Sequence, residues 1–382
     1  MEKVSVDIAI IGAGPAGCTA ALAIGEGDLR VALIDQSSFP RDKVCGDGIM
    51  AYVPKVLNTI DPKYREAFLA FEDKNEIDGL RIIGDAGKYV DVIYPDKAYN
   101  SKRIHFDNFL FEQASQLENV EVMTNTKVQD IIQNENGFEI KTDQQTIHAR
   151  LVIGCDGANG VSRKKLSPVA KDADHHAGAV KAYFKNVKEV PDKLLEIYFL
   201  KDSLPGYFWI FPLANGEYNV GFGMKTSAIS EQRINLKAEM MRLINEHPLF
   251  KDRFKEAEQL TKIEGYGLPL GSRKVPLSGD GFLFCGDAGH LIEPLTGEGI
   301  GQAMVSGRYA GWHAKKCFEQ NNFSAIFMKT YDQMVYDKLW KDHHQREFLA
   351  KLIEKRPWLM DFGIRLITKF PVVKKWLMKI FW

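Results

Sequence analysis

Cysteine is scarce in this chain: five in 382 residues (Cys18, Cys45, Cys155, Cys285 and Cys317), none in a C-x-x-C pair. That spacing excludes a disulfide framework and a cysteine-rich zinc cluster, and scattered free thiols suit a reducing compartment. Net charge is also lacking, because 50 Lys+Arg balance 50 Asp+Glu. The overall basic balance of a nucleic-acid binder is therefore missing, and no nucleic-acid partner is expected. No apolar run is long enough to span a bilayer. Met1 to Ser5 leads straight toward a strand, without a charged-then-apolar leader. A cytoplasmic protein is expected, soluble or peripheral at a membrane. His175-His176 and His343-His344 lack partners at ligand spacing, so no metal is expected and both pairs read as surface residues. Internal repeats and low-complexity linkers are absent as well.

What is there begins with a βαβ unit. Val6 to Ile11 is a short apolar run ending in glycines, a buried parallel strand by pattern. Ala16 to Ile24 is rich in small residues and reads as a tightly packed helix, and Arg30 to Ile34 is the next strand. Ile77 to Tyr99 changes to antiparallel-like segments with turn residues. A helix from Arg103 to Gln116 follows, then strands at Val120 to Thr124, Val128 to Gln133, Gly137 to Thr142 and Thr146 to Ile153. Further antiparallel strands are expected at Gly178 to Phe184, Leu195 to Leu200, Tyr207 to Pro212 and Tyr218 to Met224. Ser230 to Glu246 reads as one helix, Gly281 to Cys285 as a strand, and 301–320 and 325–354 as long helices. At this length two domains are the expectation.

Two motifs carry chemistry. Gly12-Ala13-Gly14-Pro15-Ala16-Gly17 has the G-x-G-x-x-G form between strand and helix. Gly12 permits the turn, Gly14 lets the backbone approach a pyrophosphate, and Gly17 lets helix and strand pack closely. The phosphates would sit at the helix N-terminus, and Asp35, ending the next strand, is placed to accept from a ribose. The second motif is Gly286-Asp287-Ala288-Gly289-His290 followed by Pro294-Leu295-Thr296-Gly297-Glu298-Gly299-Ile300-Gly301. An acid after a buried strand can bind a ribityl hydroxyl, and the glycines bring backbone N–H groups to a ligand. Two motifs of one physical kind, far apart in sequence, point to one extended cofactor held at both ends. His290 reads as packing beside it, not as a catalytic group.

The pair resembles the FAD-binding motifs of the p-hydroxybenzoate-hydroxylase-like flavoproteins. The resemblance implies FAD, with the ADP half on the first motif and the flavin half on Gly286, Asp287, Pro294, Gly297, Gly299 and Ile300. Gly154-Cys155-Asp156-Gly157-Ala158 resembles that superfamily's internal D-G motif, which implies Asp156 and Gly157 as cofactor-binding residues. Arg103 matches its arginine near the pyrophosphate, and Val128 is carried over as a further cofactor contact. The implied fold is α/β: a Rossmann-like FAD-binding domain (1–76, 101–174 and 276–335) interleaved with an antiparallel substrate domain (77–100 and 175–275), then a helical C-terminal segment (336–382).

Two segments narrow the family. Pro205-Gly206-Tyr207-Phe208-Trp209-Ile210-Phe211-Pro212 is similar to the P-x-x-Y-x-W-x-F-P signature of the geranylgeranyl reductases, and Pro40-Arg41-Asp42-Lys43-Val44-Cys45-Gly46 to their P-R-x-K-x-C-G segment. The resemblance implies FAD-dependent saturation of C=C bonds in an isoprenoid or related lipid. Arg41, Cys45 and Gly46 would lie at the cofactor, with Cys45, Tyr207 and Trp209 as candidate catalytic residues. Alternate strand residues share a face, so Tyr207, Trp209 and Phe211 can form one aromatic wall. Arg41 and Lys43 are expected to favour a Cys45 thiolate. The family often continues C-G-G, whereas Asp47 stands here. An oxygen-using hydroxylase or halogenase is the enzymatic alternative; halogenases carry W-x-W-x-I-P, and Tyr207 and Phe211 differ from it. A flavin-binding assembly partner is the non-enzymatic one. No second dinucleotide motif is evident, so electrons would come from NAD(P)H or a ferredoxin-like protein. Finally, Pro371 fits a helix start, with Val372, Val373, Trp376, Leu377, Ile380 and Phe381 on one face and Lys374, Lys375 and Lys379 on the other. This is the pattern of an interfacial helix, so membrane-surface contact is expected through 357–382.

Overall fold

The computed structural model describes residues 3–356 and 358–369. The amphipathic pattern from Pro371 onward lies outside the described residues. The strands form two sheets whose members alternate along the chain. In the first, Lys3–Ile11 lies between Val31–Ile34 and Thr146–Gly154, both parallel to it. Val120–Met123 extends the sheet beyond Val31–Ile34, and Phe282–Phe284 pairs in parallel with the end of Thr146–Gly154. The hairpin Val128–Asn134 and Gly137–Thr142 is antiparallel and joins the other half of Thr146–Gly154. Near-continuous apolar runs such as Ile8 to Ile11 suit strands covered on both faces.

Register fixes what these strands deliver. Ile11 pairs with Gly154, and Phe284 pairs with Gly154. Three strands therefore end side by side, and the residues that follow them (Gly12, Cys155-Asp156 and Cys285-Gly286) emerge together. The carboxyl ends of parallel strands are where open α/β sheets bind ligands.

The second sheet is largely antiparallel. Its spatial order is Glu258–Gln259, His176–Lys185, Glu217–Lys225, Gly206–Pro212, Leu194–Phe199, Asn75–Gly84, Tyr89–Asn100 and Gly48–Ile49, with Glu264–Pro269 also pairing with His176–Lys185. The short strand Gly48–Ile49 pairs with Tyr99 and Asn100, anchoring the loop of Cys45 to this sheet. One face packs Phe208, Phe222, Phe250 and Met240 into a separate apolar core.

Two helices carry the first sheet's ligand-facing end. Pro15–Ile24 is buried along its whole length. Ile300–Glu319 packs against it through glycines: a Cβ at Gly307 would stand 2.2 Å from the Ala16 carbonyl oxygen, and one at Gly311 2.5 Å from that of Ala20. The backbones approach this closely because nothing larger than hydrogen intervenes.

The single helix expected over 230–246 is two, Thr226–Gln232 and Leu236–Glu246. Arg233 takes a left-handed conformation, and Asn235 accepts from the Lys237 and Ala238 N–H groups as an N-cap. Such a cap contributes about 1 kcal/mol. The periodicity passes across the break, but left-handed Arg233 ends one helix and the Asn235 side chain starts the next. His343 is buried, not on the surface, because it packs against Gly271; His175 is partly covered and bonds Ser272.

Candidate functional site

Gly12 has φ 101°, and a Cβ there would meet the Cys155 carbonyl oxygen at 2.4 Å. A Cβ at Gly17 would lie 1.8 Å from the Gly12 oxygen, so both positions admit glycine alone. Gly14 differs: a Cβ would meet nothing nearer than an Arg41 guanidinium nitrogen at 3.4 Å. This open side of the turn fronts Pro15–Ile24, whose N-terminus has no side-chain cap. Ile300–Glu319 likewise begins at Gly299 without a side-chain cap. Two packed helices thus present uncapped N–H groups at the same end of the sheet, a cradle suited to phosphate oxygens.

Charged groups line this cradle. Arg103 donates from Nε and Nη2 to Asp107 at 2.5 and 2.6 Å, and Arg41 donates to the same carboxylate at 2.9 Å. Asp107 is fully buried. Removing such an acid would leave the buried Arg103 without its carboxylate, a change that typically costs about 3–5 kcal/mol. Arg41 Nη2 is also 3.9 Å from Asp35. Asp35 accepts from the Ala13 and Ser37 N–H groups, both at 2.9 Å, which fixes its carboxylate at the first turn. Thr126 donates to the Asp35 carbonyl oxygen, bringing the segment before Val128 to the same edge.

Asp287 is met by Lys43 Nζ at 3.0 Å, with the ammonium also 4.7 Å from the centre of the Tyr266 ring. This corrects one expectation: Arg41 and Lys43 are held by Asp107 and Asp287, and the cation beside the Cys45 thiol is Arg103. Asp156 spends its carboxylate on the N–H and hydroxyl of Ser162, and Gly157 turns with φ 75°. Arg163 donates to the carbonyls of Ala288 and Pro276, tying this turn to the second motif.

The second motif is a closed loop. Glu293, fully buried, accepts from the Leu295 and Thr296 N–H groups at 2.8 Å, and its own N–H donates to the Glu298 backbone carbonyl. Pro294 is buried within it, while Gly297 has φ 71°. Burial pushes the Glu298 carboxyl up to about 7, offset by the Tyr52 hydroxyl, which donates to it at 2.6 Å, and by Arg346. Burial, with Arg163 second, pushes His290 down to about 4, so it is neutral near pH 7.

The aromatic strand closes the arrangement. The Tyr207 hydroxyl donates to the Thr296 carbonyl. The Trp209 indole N–H donates to Asn219 Oδ1 at 2.9 Å, and Asn219 Nδ2 donates to the Cys45 carbonyl at 2.7 Å and to Asp47 at 2.8 Å. The Trp209 ring lies over Gly221, where a Cβ would collide at 2.1 Å. A Cβ on Gly46 would stand 3.4 Å from the Phe211 ring. Tyr207, Trp209, the Cys45 loop and the 294–299 loop are therefore one connected structure. Sequence reasoning missed Asp107, Asn219 and Tyr183, whose hydroxyl donates to Asp47 at 2.8 Å. Glu298 stood inside the second motif without a role, and Asp47 left a signal as a departure from the C-G-G form. Among the described residues no group of His, Cys, Asp or Glu could hold a metal, and the five cysteines are free thiols.

A Rossmann-type turn, two uncapped helix ends and a second acid-bearing loop define an FAD-dependent oxidoreductase, and the FAD-binding domain family matches residues 5–333. The chain belongs to that family and, within it, to the geranylgeranyl reductases. It is similar to a digeranylgeranylglycerophospholipid reductase of Thermoplasma volcanium, 30% identical over 368 residues that cover 93% of this chain and 88% of the other. The fold is similar to a geranylgeranyl bacteriochlorophyll reductase-like protein of Thermoplasma acidophilum, with TM-score 0.83, 25% identity and coverage of 99% and 100%. A flavin-dependent brominase shares the fold at TM-score 0.75 and 20% identity, covering 94% of this chain and 93% of that one. No helix among the described residues is long and apolar enough to cross a membrane.

Proposed function

We propose that this flavoprotein saturates C=C bonds of an isoprenoid lipid. The observation that carries the reading is the strand Gly206–Pro212, whose Tyr207 and Trp209 are bonded to the second motif loop and, through Asn219, to the Cys45 loop. Bound FAD, once reduced, supplies hydride to one alkene carbon, and a proton completes the other. The protein's part is binding, orientation and exclusion of water. In this reading Gly12, Gly14, Pro15, Ala16, Gly17 and Asp35 hold the ADP half, with Arg41, Arg103 and Val128 beside it. Asp156 and Gly157 support the turn, and Gly286, Asp287, Pro294, Gly297, Gly299 and Ile300 receive the flavin half. Tyr207 and Trp209 form the apolar wall, and Cys45 and Gly46 border it. The interleaved division into cofactor and substrate parts follows from the same reading.

Electrons would come from NAD(P)H or a ferredoxin-like protein. Uptake of the lipid at a membrane surface is supported by Phe348, Trp358 and Phe362, large apolar side chains that are more than half exposed and lie among Lys351, Lys355 and Arg365.

The test is anaerobic. The FAD-loaded protein is reduced with dithionite and mixed with vesicles containing a geranylgeranyl lipid. Flavin reoxidation and a lipid mass gain of two hydrogens per saturated bond are expected. A lipid left unchanged, with turnover appearing only when oxygen is admitted, would move the protein to the hydroxylase and halogenase class.

A further inference from the structure

Asp47 is fully buried and has a left-handed backbone, φ 64°, between Gly46 and Gly48. Such a conformation is uncommon for a residue with a Cβ, although aspartate tolerates it better than most, and a buried carboxylate is costly in any conformation. Its Oδ2 accepts from the Tyr183 hydroxyl and from Asn219 Nδ2, each at 2.8 Å, while Oδ1 is buried with no hydrogen-bond partner.

The orientation of Asn219 is dictated by chemistry. The Trp209 indole nitrogen can only donate, so the amide oxygen must face it, and the amide NH₂ must face Asp47 and the Cys45 carbonyl. One buried amide therefore reads the charge on Asp47 at one end and fixes an aromatic ring at the other. A bond to an ionised acceptor is shorter and stronger than one to a neutral acceptor. Loss of the charge thus weakens the Asn219–Asp47 bond, and the amide that also holds Trp209 and the Cys45 carbonyl is less firmly fixed.

Other charged or titratable groups surround the acid. On His176–Lys185, Tyr183 bonds it directly and the buried Lys181 ammonium lies 3.6 Å from the Tyr183 ring centre and 3.8 Å from Asp42. Asp42 and Cys45 belong to its own loop. Lys102, paired with Glu217, lies 4.8 Å from the Tyr183 ring centre, and Arg103 stands beside Cys45. Burial pushes the Asp47 carboxyl up to about 6. Lys181 and the bonds from Asn219 and Tyr183 act against that rise, and Asp42 adds to it. The balance falls in the range where modest pH changes alter its charge.

We propose that Asp47 is a positioning residue for the reduction: through Asn219, its charged carboxylate sets where the Trp209 ring and the Cys45 loop stand. The chemistry it serves rests on the reductase reading; the coupling from Asp47 to Trp209 does not.

The experiment uses FAD-bound enzyme labelled with ¹⁵N-tryptophan, the Trp209 indole signal being assigned by its loss in Trp209→Phe. In the unsubstituted protein this signal shifts with pH, with a midpoint near 6. In Asp47→Asn, which keeps the size and an acceptor oxygen, it does not titrate. In Tyr183→Phe, which removes one donor to the carboxylate, the midpoint moves to higher pH. Flavin content and far-ultraviolet circular dichroism check that each variant is folded. Asp47→Asn also lowers kcat at neutral pH by roughly tenfold, leaves KM within about twofold, and loses the acid limb of the kcat profile. An indole signal that titrates alike in Asp47→Asn and in the unsubstituted protein overturns the coupling. So does a signal that does not titrate in either. Equal kcat profiles overturn the positioning role while leaving the reductase reading intact. Normal indole behaviour in a protein that reduces no lipid strikes the reductase reading alone.

Discussion

Glu298 shows how much of this site is decided by where a carboxyl is kept. It lies between the two glycines of the second motif, and burial raises it to about 7 against the Tyr52 hydroxyl and Arg346. An acid raised above its unfolded value contributes stability in full below that unfolded value, and the contribution is lost as pH rises through the folded one. Between about pH 4.5 and 7, Glu298 should therefore make the protein less stable as pH rises. Glu298→Gln, which keeps the protonated shape, should remove that slope and melt higher than the unsubstituted protein above pH 7. Thermal unfolding at a series of pH values checks this, and parallel slopes would sink it. Legibility at this scale was uneven. The glycines could be read because a turn and a close approach admit little else. Asp107 could not: a lone acid on a helix becomes a charge hub only once Arg41, 66 residues away, folds onto it. For the same reason Arg41 and Lys43 read as partners of Cys45, when each is already paired with a carboxylate.

Among the elements, the pair Pro15–Ile24 and Ile300–Glu319 carries the most. Their uncapped ends form the anion cradle, and their spacing rests on Gly307 and Gly311. Gly307→Val would place a methine against the Ala16 carbonyl and force the helices apart. Overpacking of this kind costs about 1–3 kcal/mol. Because the strain falls at Ala16, inside the first motif, FAD affinity should drop by at least about tenfold as well. Fluorescence titration of apoprotein with FAD measures it; unchanged affinity alongside lowered stability would separate packing from the cradle. The long helices and the aromatic strand were legible because each has a sustained pattern. The break at Asn235 was not, because a helix periodicity carried across a three-residue gap looks continuous until the cap is seen.

For the whole molecule, the α/β class and its two sheets were readable from the change between apolar runs and alternating strands. The spatial order of the second sheet was not: Leu194–Phe199 lies parallel to Asn75–Gly84, a pairing between segments more than a hundred residues apart with no local signal. Placed across the first sheet's end, as proposed, FAD would be a large contributor to stability. A ligand at about a thousand times its Kd adds roughly 4 kcal/mol. Removing FAD should therefore lower Tm by several degrees and make Tm rise with added FAD, read by circular dichroism so that flavin signals do not interfere. A Tm indifferent to FAD would place the cofactor elsewhere.

The side-by-side strand ends also set a clock. Gly299 leaves the ribosome roughly 290 residues after Gly12, about half a minute at ordinary elongation rates. Until then the first turn has its glycines but only one of its two helix ends. On the proposed placement, the nascent chain cannot close on its flavin until that second helix end has been made.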